Sequence, residues 1–137
     1  MPKAIYVNLA VADLDRSKTF FSALGFTFDA RFTNDDAAAM VISPCIYAML
    51  HTDRSIRRFT AKALVDPAQA TEVLLALEVD SRAEVDMLMT KALAAGARRQ
   101  RPAEDHGFMY GESFEDLDGH IWELFWMDSA AAPMTGA

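Results

Sequence analysis

The segment Phe114-Glu-Asp-Leu-Asp-Gly-His-Ile-Trp-Glu-Leu-Phe-Trp-Met127 decides how this chain folds. Its Asp118-Gly119 pair predicts a tight turn, because glycine accepts the positive φ that such a turn requires. The run after the turn is almost wholly apolar, which predicts a strand over 121–127. Alternation along that strand puts one group of side chains on one face (Trp122, Leu124, Trp126) and a second group on the other (Ile121, Glu123, Phe125).

One carboxylate, Glu123, lies in the middle of this apolar strand. Burying a carboxylate is costly unless another group pairs with it, ligates it or hydrates it. We therefore expect Glu123 either to line a wet cavity or to take part in chemistry. The functional interpretation is a general base or a metal ligand. The alternative is a structural carboxylate that Tyr6 or Asn8 holds by a hydrogen bond.

Composition and charge narrow the class of protein. The chain has 137 residues, of which 52% are hydrophobic and 10% aromatic, and this predicts one globular domain or two small modules. A net charge of −7 argues against nucleic acid or an anionic membrane as partner and suits a neutral or cationic ligand. No apolar run reaches membrane-spanning length, and the single cysteine cannot form an intrachain disulfide. We expect a cytoplasmic protein.

The order strand, helix and three strands occurs twice. In the first half, Asp13 is a candidate helix N-cap and Gly25 a candidate helix end; in the second half, a capping box at 81–84 and Gly96 play these parts. This order predicts an α+β fold with two βαβββ modules, 3–51 and 71–128, in a single domain over 1–128, followed by a frayed tail over 129–137. Strands are expected at 5–11, 26–32, 38–42, 46–51, 71–79, 97–101, 108–115 and 121–127, with a short helix after Thr52 and a loop over 102–107.

Each helix has to cover the apolar face of its own module, since its apolar stripe needs a partner. By strand parity, the uncovered face of the first module then carries Tyr6 and Asn8 on the first strand, with Tyr47, Met49 and His51 on the fourth. In the second module the uncovered face carries Leu74 on the first strand and Glu123 on the last.

The pattern resembles the vicinal-oxygen-chelate superfamily, which includes glyoxalase I, extradiol dioxygenases, fosfomycin-resistance transferases and bleomycin-resistance proteins. The resemblance rests on 9–17 with Phe20-Phe21 and 24–26, and on 115–123, where Leu117 stands in place of a common proline. It is closest to the glyoxalase-related proteins described as predicted lactoylglutathione lyases. It implies paired modules that form a curved sheet around a cleft, and a homodimer.

Enzymes of this superfamily hold a divalent metal with His, Glu or Gln side chains from four strands. Aligned by the motifs, those positions fall on Tyr6, Met49, Leu74 and Glu123. Only Glu123 is an ordinary ligand for a hard divalent metal. The resemblance therefore implies either no cofactor here or a divalent metal held by an incomplete set of ligands, in which Glu123 is the one that is retained.

Other candidates lie in the second half. His106, in a predicted loop, could transfer protons or bind a metal; the alternative is a solvated residue or one bonded to Asp105. Tyr110 could donate a hydrogen bond to a ligand or simply belong to the core. The basic run 98–101 is expected to be a solvated edge strand, and His51 a solvated strand end.

Two functions remain open. The first is a lyase or isomerase acting on a small oxygenated substrate, with Glu123 as base or sole retained ligand and His106 as a second catalytic candidate. The second is a metal-free protein that binds and sequesters a small hydrophobic or cationic molecule. In both cases the expected ligand contacts are the same residues: Tyr6, Asn8, Tyr47, Met49, Leu74, Phe108, Tyr110 and Phe125.

Overall fold

The computed structural model describes residues 1–130, and the chain divides into two compact units, Met1–Leu64 and Val65–Ala137. The first unit forms a four-stranded sheet in the order β1-β4-β3-β2. Strand β1 runs parallel to β4, and the other neighbours are antiparallel. Its elements are β1 (Ile5–Ala10), α1 (Leu14–Ala23), β2 (Thr27–Asp29), a 3₁₀ turn (Ala30–Phe32), β3 (Ala37–Ser43), β4 (Ile46–His51) and α2 (Asp53–Ile56).

The second unit repeats this arrangement. Its four strands follow the order β5-β8-β7-β6, with β5 parallel to β8 and the other pairs antiparallel. The predicted α+β fold with two βαβββ modules is confirmed, and each module builds its own mixed sheet. The elements are β5 (Leu74–Glu78), α3 (Arg82–Ala94), β6 (Arg98–Asp105), β7 (Met109–Glu115) and β8 (Ile121–Met127).

The helices begin where the side-chain chemistry predicts. The Asp13 carboxylate accepts the N–H of Arg16 at 3.0 Å, which satisfies one of the free donors at the start of α1. The Ser81 hydroxyl accepts the N–H of Glu84 at 3.1 Å at the start of α3. The Glu84 carboxylate reaches back to the N–H of Asp80, one residue before the cap position that a standard capping box uses.

Each helix packs its apolar stripe on its own sheet. In the first unit Phe20 and Phe21 of α1 are buried, as are Met40 and Leu50 of the sheet. In the second unit the buried set comes from α3, β7 and β8, which confirms the predicted parity of the last strand. Each such side chain contributes roughly 1.5–3 kcal/mol by leaving water. The second set is Val85, Leu88, Met89, Phe114, Trp122 and Leu124.

The largest differences between the predicted and observed bounds concern β6, β2 and β5. The expected loop over 102–107 is wrong in its first part, because β6 continues to Asp105. Pro102 is tolerated there because β6 is an edge strand, where a missing N–H breaks no ladder, and the register is irregular at this point. Strand β2 ends at Asp29 and β5 starts at Leu74, so both are shorter than predicted. Most of the predicted frayed tail, 131–137, lies outside the described residues.

The acidic residue of the terminal motif organises the turn into β8. One oxygen of the buried Asp116 carboxylate accepts the N–H groups of Asp118, Gly119 and His120, at 3.0, 3.1 and 3.0 Å. The other accepts the indole N–H of Trp122 at 2.9 Å. Burial raises the pKa of Asp116, and the Trp122 and backbone hydrogen bonds oppose that rise. This part of the motif therefore has a structural role.

Within the described part of the chain, no helix is both long and apolar enough to cross a membrane.

Candidate functional site: a charged network on the second sheet

Glu123 has a cationic partner that the sequence analysis did not identify. Arg101 on β6 and Glu123 on β8 lie in one row across the sheet, because both are in register with Ser113 of β7 between them. The Arg101 guanidinium donates to the Glu123 carboxylate, with an Nη2–Oε2 distance of 2.6 Å. The sequence analysis offered Tyr6 or Asn8 as a hydrogen-bond partner. Arg101, which lies on the same sheet as Glu123, offsets the cost of burying that carboxylate.

The same guanidinium binds a second carboxylate. Glu104, also on β6, accepts from Arg101 Nη1 at 2.5 Å through Oε1. Its other oxygen, Oε2, lies 3.2 Å from the Nε2 atom of His106. The two catalytic candidates, His106 and Glu123, are thus connected through Glu104 and Arg101. We call these four residues the charged network.

An open-sided pocket of about 200 Å³ adjoins the charged network. Its charged lining residues are Arg101, Glu104, Glu112 and Glu123. The rest of the lining is mainly apolar, and Gly111 leaves room above the strand where any other residue would place a side chain. This combination of apolar wall and few polar groups is typical of a small-molecule site. The apolar part includes Ala76, Met109 and Phe125.

The turn that carries His106 is held from the other face of the sheet. Arg82, at the start of α3, donates to both oxygens of Asp105 at 2.9 and 2.8 Å and to the carbonyl of Gly107 at 2.8 Å. Its guanidinium also stacks on the rings of Tyr110 and Trp126, 5.2 Å from each centroid. The hydrogen bonds from Arg82 lower the pKa of Asp105 to about 2, so this carboxylate stays ionised throughout the neutral range. A His106–Asp105 bond was one of the alternatives for His106; in the structure Arg82 binds Asp105, and His106 lies against Glu104.

Tyr110 was predicted to contact a ligand, and the structure places it elsewhere. It is in register with Trp126, on the face that α3 covers. Its hydroxyl donates to Asp86 of α3 at 2.5 Å, and this bond is the main reason that the pKa of Tyr110 is raised. Tyr110 therefore joins the helix to the sheet.

Two further predicted contacts lie outside the pocket lining. Register pairs Leu74 with Ile121 and Ala76 with Glu123, so Ala76 takes the position beside the carboxylate. Leu74 is 54% exposed. Phe108 follows the His106 turn, with its ring centroid 6.4 Å from that of His106. Phe125, by contrast, lines the pocket.

The predicted residues of the first unit lie together on the uncovered face of its sheet. Tyr6 and Tyr47 are register partners, and their rings stack at 4.5 Å with an interplanar angle of 6°. Asn8 and Met49 form the next pair on the same face. The Tyr47 hydroxyl donates to the carbonyl of Pro44 at 3.0 Å.

His51 is buried, which contradicts the expected solvated strand end. Its side chain is held between two polar groups: Nδ1 lies 2.8 Å from Ser55 Oγ, and Nε2 lies 2.7 Å from Asn8 Oδ1. Burial is the larger cause of a lowered pKa for His51, and the charge of Arg58 is the smaller. The imidazole is therefore neutral near pH 7, with the proton on Nε2, since Asn8 Oδ1 can only accept.

This lowered pKa predicts a pH dependence of stability. Folding favours neutral His51, so its contribution is fully present above the unfolded pKa of about 6.5 and is lost as pH falls toward the lower folded value. We expect the unfolding free energy of the natural chain to fall more than that of His51→Gln between about pH 7.5 and about pH 5.5. Urea titrations of both proteins measure this. Parallel pH profiles would contradict it.

Sequence reasoning missed three residues of the site, Arg101, Glu104 and Ser55. Arg101 was grouped with its basic neighbours as a solvated edge, yet Arg99 pairs with the buried Glu112 and Arg101 with Glu123. One pattern in the sequence could have predicted these pairs: the basic residues of the last-but-two strand can pair with acidic residues on the two strands that follow it. Ser55 carried no such signal, because its contact depends on where α2 begins.

The side chains do not fit a hard divalent metal. Of the four positions that the resemblance implies, Met49 and Leu74 supply no hard donor, and the Glu123 carboxylate is already bound to the Arg101 guanidinium. Among residues 1–130, no three His, Cys, Asp or Glu side chains are grouped so that they could hold a metal ion.

Comparison with known proteins agrees with this fold. A family model described as Glyoxalase/Bleomycin resistance protein/Dioxygenase superfamily matches residues 3–124. A hypothetical protein from S. aureus is 27% identical with a TM-score of 0.77, covering 92% of this chain and 94% of its own. A comparison with curated proteins gave no match.

Two other solved structures share the fold at lower identity. A glyoxalase-related enzyme from Fulvimarina pelagi is 23% identical with a TM-score of 0.78, covering 92% of this chain and 88% of that one. A fosfomycin resistance protein from Mesorhizobium loti is 15% identical with a TM-score of 0.69, covering 95% and 96%. At these identities the likeness concerns the fold alone.

Proposed function

Since the chain belongs to the Glyoxalase/Bleomycin resistance protein/Dioxygenase superfamily, we propose that it is a metal-free member that binds small molecules. Its ligand would carry a positive charge and an apolar part. The positive group would lie against the charged network, and the apolar part against Met109 and Phe125.

The observation that carries this proposal is the charge balance at the pocket. One guanidinium, that of Arg101, is shared between two carboxylates, those of Glu104 and Glu123. These three groups sum to one negative charge, and Glu112, the other carboxylate of the lining, is paired with the Arg99 guanidinium. The Glu123 side chain is only 23% exposed, so its interaction with a ligand cation is less screened than that of a surface pair. A bound cation would neutralise this excess negative charge, whereas two carboxylates would repel a bound anion.

The proposal is tested with three probes of similar shape. Benzyltrimethylammonium supplies the cation, neopentylbenzene is its neutral isostere, and phenylacetate is an anion. We expect calorimetric titration to show the cation binding most tightly. Glu123→Gln keeps the side-chain volume and removes the charge, so the preference for the cation should fall about tenfold, the equivalent of roughly 1.4 kcal/mol. The proposal would be wrong if all three probes bound equally, or if Glu123→Gln left the preference unchanged.

A second candidate function is a lyase or isomerase acting on a small oxygenated substrate. The observation in its favour is that His106 and Glu123, the two catalytic candidates, belong to one charged network. The observation against it is that Glu123 Oε2 already accepts a hydrogen bond from the Arg101 guanidinium, so this oxygen is occupied before a substrate binds. Turnover of glutathione-derived hemithioacetals that is lost in both Glu123→Gln and His106→Gln would favour catalysis over sequestration.

We also propose that the chain forms a homodimer and acts in the cytoplasm. Strands β1 and β5 each lie at the end of their own sheet and carry exposed apolar side chains: Ile5 is 56% exposed and Leu74 is 54% exposed. An unpaired edge strand with exposed apolar side chains is a template for pairing with another chain. Sedimentation equilibrium should give twice the chain mass of 15.1 kDa, and a monomer mass at micromolar concentration would contradict the dimer.

A further inference from the structure

We propose that Arg82 is a positioning residue for the charged network: from the face of the second sheet that α3 covers, it holds the turn between β6 and β7 and so keeps Glu104 at the pocket on the other face. The inference rests on the proposed function, because the property that it explains is the preference of the pocket for a cation. Arg82 is not among the residues that line the pocket, so it would act on a ligand only through Glu104.

The strand that carries Glu104 gives this residue little support of its own. Strand β6 lies at the edge of its sheet and pairs only with β7. The register shifts just before Glu104, because the three steps from Arg101 to Glu104 along β6 correspond to two steps along β7. Such a bulge leaves one residue unpaired and disrupts the ladder locally, and Pro102 within it has no N–H to donate. The Glu104 carboxylate therefore needs a further anchor to stay beside Arg101.

Arg82 supplies this anchor from behind. Successive side chains of a strand point to opposite faces, so Asp105 faces α3 while Glu104 faces the pocket. Two hydrogen bonds from the Arg82 guanidinium fix Asp105, the last residue of β6, and a third fixes the carbonyl of Gly107 in the turn. The Asp105 carboxylate also accepts the N–H of Gly107 at 2.9 Å, which joins the two held points. The backbone that carries Glu104 and His106 is thus held from both sides.

The Arg82 side chain is itself restrained. Arg82 is the first residue of α3, and the Ser81 side chain caps that helix. The guanidinium stacks on the rings of Tyr110 and Trp126, which limits its motion and leaves its N–H donors free for the turn. A guanidinium has five donors in one plane, so it can make all three bonds at once, whereas a lysine ammonium is a compact point charge without this geometry.

The sign of the expected effect separates positioning from simple electrostatics. Arg82 is a cation, so its removal leaves the Asp105 carboxylate unpaired, and this extra negative charge alone would strengthen the binding of a cation. Loss of positioning has the opposite result. If the Glu104 carboxylate leaves the pocket, the remaining pair of Arg101 and Glu123 is neutral, and the negative charge that would attract a cation is gone.

The first measurement is the affinity of the full chain for benzyltrimethylammonium relative to neopentylbenzene. Arg82→Met should lower this preference roughly two- to fivefold, the effect of one half-exposed charge. Glu104→Gln should lower it by a similar factor, and the double variant by no more than either alone, because both changes remove the same carboxylate from the pocket. Arg82→Lys should keep part of the preference. Arg98→Met is the matched control: it removes a cation at the other end of β6 and should not lower the preference.

The second measurement needs no ligand. The N–H of His106 donates to the carbonyl of Met109 at 2.8 Å and closes the turn. In Arg82→Met its hydrogen exchange should become faster by about tenfold or more, while the amide of Leu88 in α3 keeps its protection. Unchanged exchange at His106, additive effects in the double variant, or a cation preference that rises in Arg82→Met would each overturn the proposal. A natural chain without a cation preference would contradict the proposed function instead, and faster exchange at His106 would then still support the hold of Arg82 on the turn.

Discussion

Replacing Asp116 by alanine is expected to lower the free energy of unfolding by at least about 3 kcal/mol. Its carboxylate accepts hydrogen bonds from three backbone N–H groups and from the indole of Trp122, and both Asp116 and Trp122 are buried. Each buried donor that loses its acceptor costs roughly 1–3 kcal/mol, and water can replace only part of this set. Urea or thermal unfolding of the two proteins measures the difference.

A matched pair of variants identifies the cause. Asp116→Asn keeps one acceptor oxygen for the backbone donors but turns an NH₂ group toward the Trp122 indole, so it should destabilise less than alanine. Adding Trp122→Phe removes that donor and should recover part of the loss caused by Asp116→Asn. Strictly additive effects of the two substitutions would contradict the assigned contact, and a loss below about 1 kcal/mol for Asp116→Ala would contradict the structural role.

Gly119→Ala is expected to destabilise the protein by about 2–5 kcal/mol. Gly119 has a φ of +103°, a conformation that costs a residue with a side chain about 1–2 kcal/mol. An added Cβ would also lie 2.8 Å from the Cα and N atoms of Ala68 and from the carbonyl oxygen of Pro67. These are backbone atoms, so the segment has to move, and overpacking of this kind costs about 1–3 kcal/mol more.

The chain contains a matched control for that substitution. Gly25 has almost the same φ, +104°, but a Cβ there would meet nothing within 4 Å. Gly25→Ala should therefore show the conformational cost alone. The difference between the two variants measures the contact with the segment at Pro67. Equal destabilisation at Gly25 and Gly119 would show that this contact is absent in solution.

The sequence predicted those parts of the fold that depend on local periodicity. Strand β8 has the predicted bounds, because its alternation and the Asp118-Gly119 turn before it are both local signals. Strand β6 was predicted too short, because Pro102 locally indicates the start of a loop. On an edge strand a proline can continue the strand, since no ladder hydrogen bond needs its missing N–H. Whether β6 is an edge strand depends on the order of strands in the sheet, and that order cannot be predicted from sequence periodicity.

The candidate site was predicted only in part, for a related reason. Strand parity placed Glu123 and Phe125 on the pocket face and Tyr6, Asn8 and Tyr47 together. Tyr110 was considered from the chemistry of its phenol alone, and its position on the face that α3 covers depends on the register of β7 with β8, which is not a local signal. The partners of Glu123 and Asn8, Arg101 and His51, are distant in sequence, and only the assembled sheets bring them into contact.

The central claim is that the pocket of the second unit selects a cation because Arg101 only partly neutralises Glu104 and Glu123. The most direct measurement is the affinity of Arg101→Met for benzyltrimethylammonium, relative to that for neopentylbenzene. Methionine keeps much of the side-chain length and removes the charge, so two carboxylates would be left to meet the ligand. The account predicts that the preference for the cation rises severalfold, opposite in sign to the effect of Glu123→Gln. A preference that stays the same or falls in a folded Arg101→Met protein would contradict it.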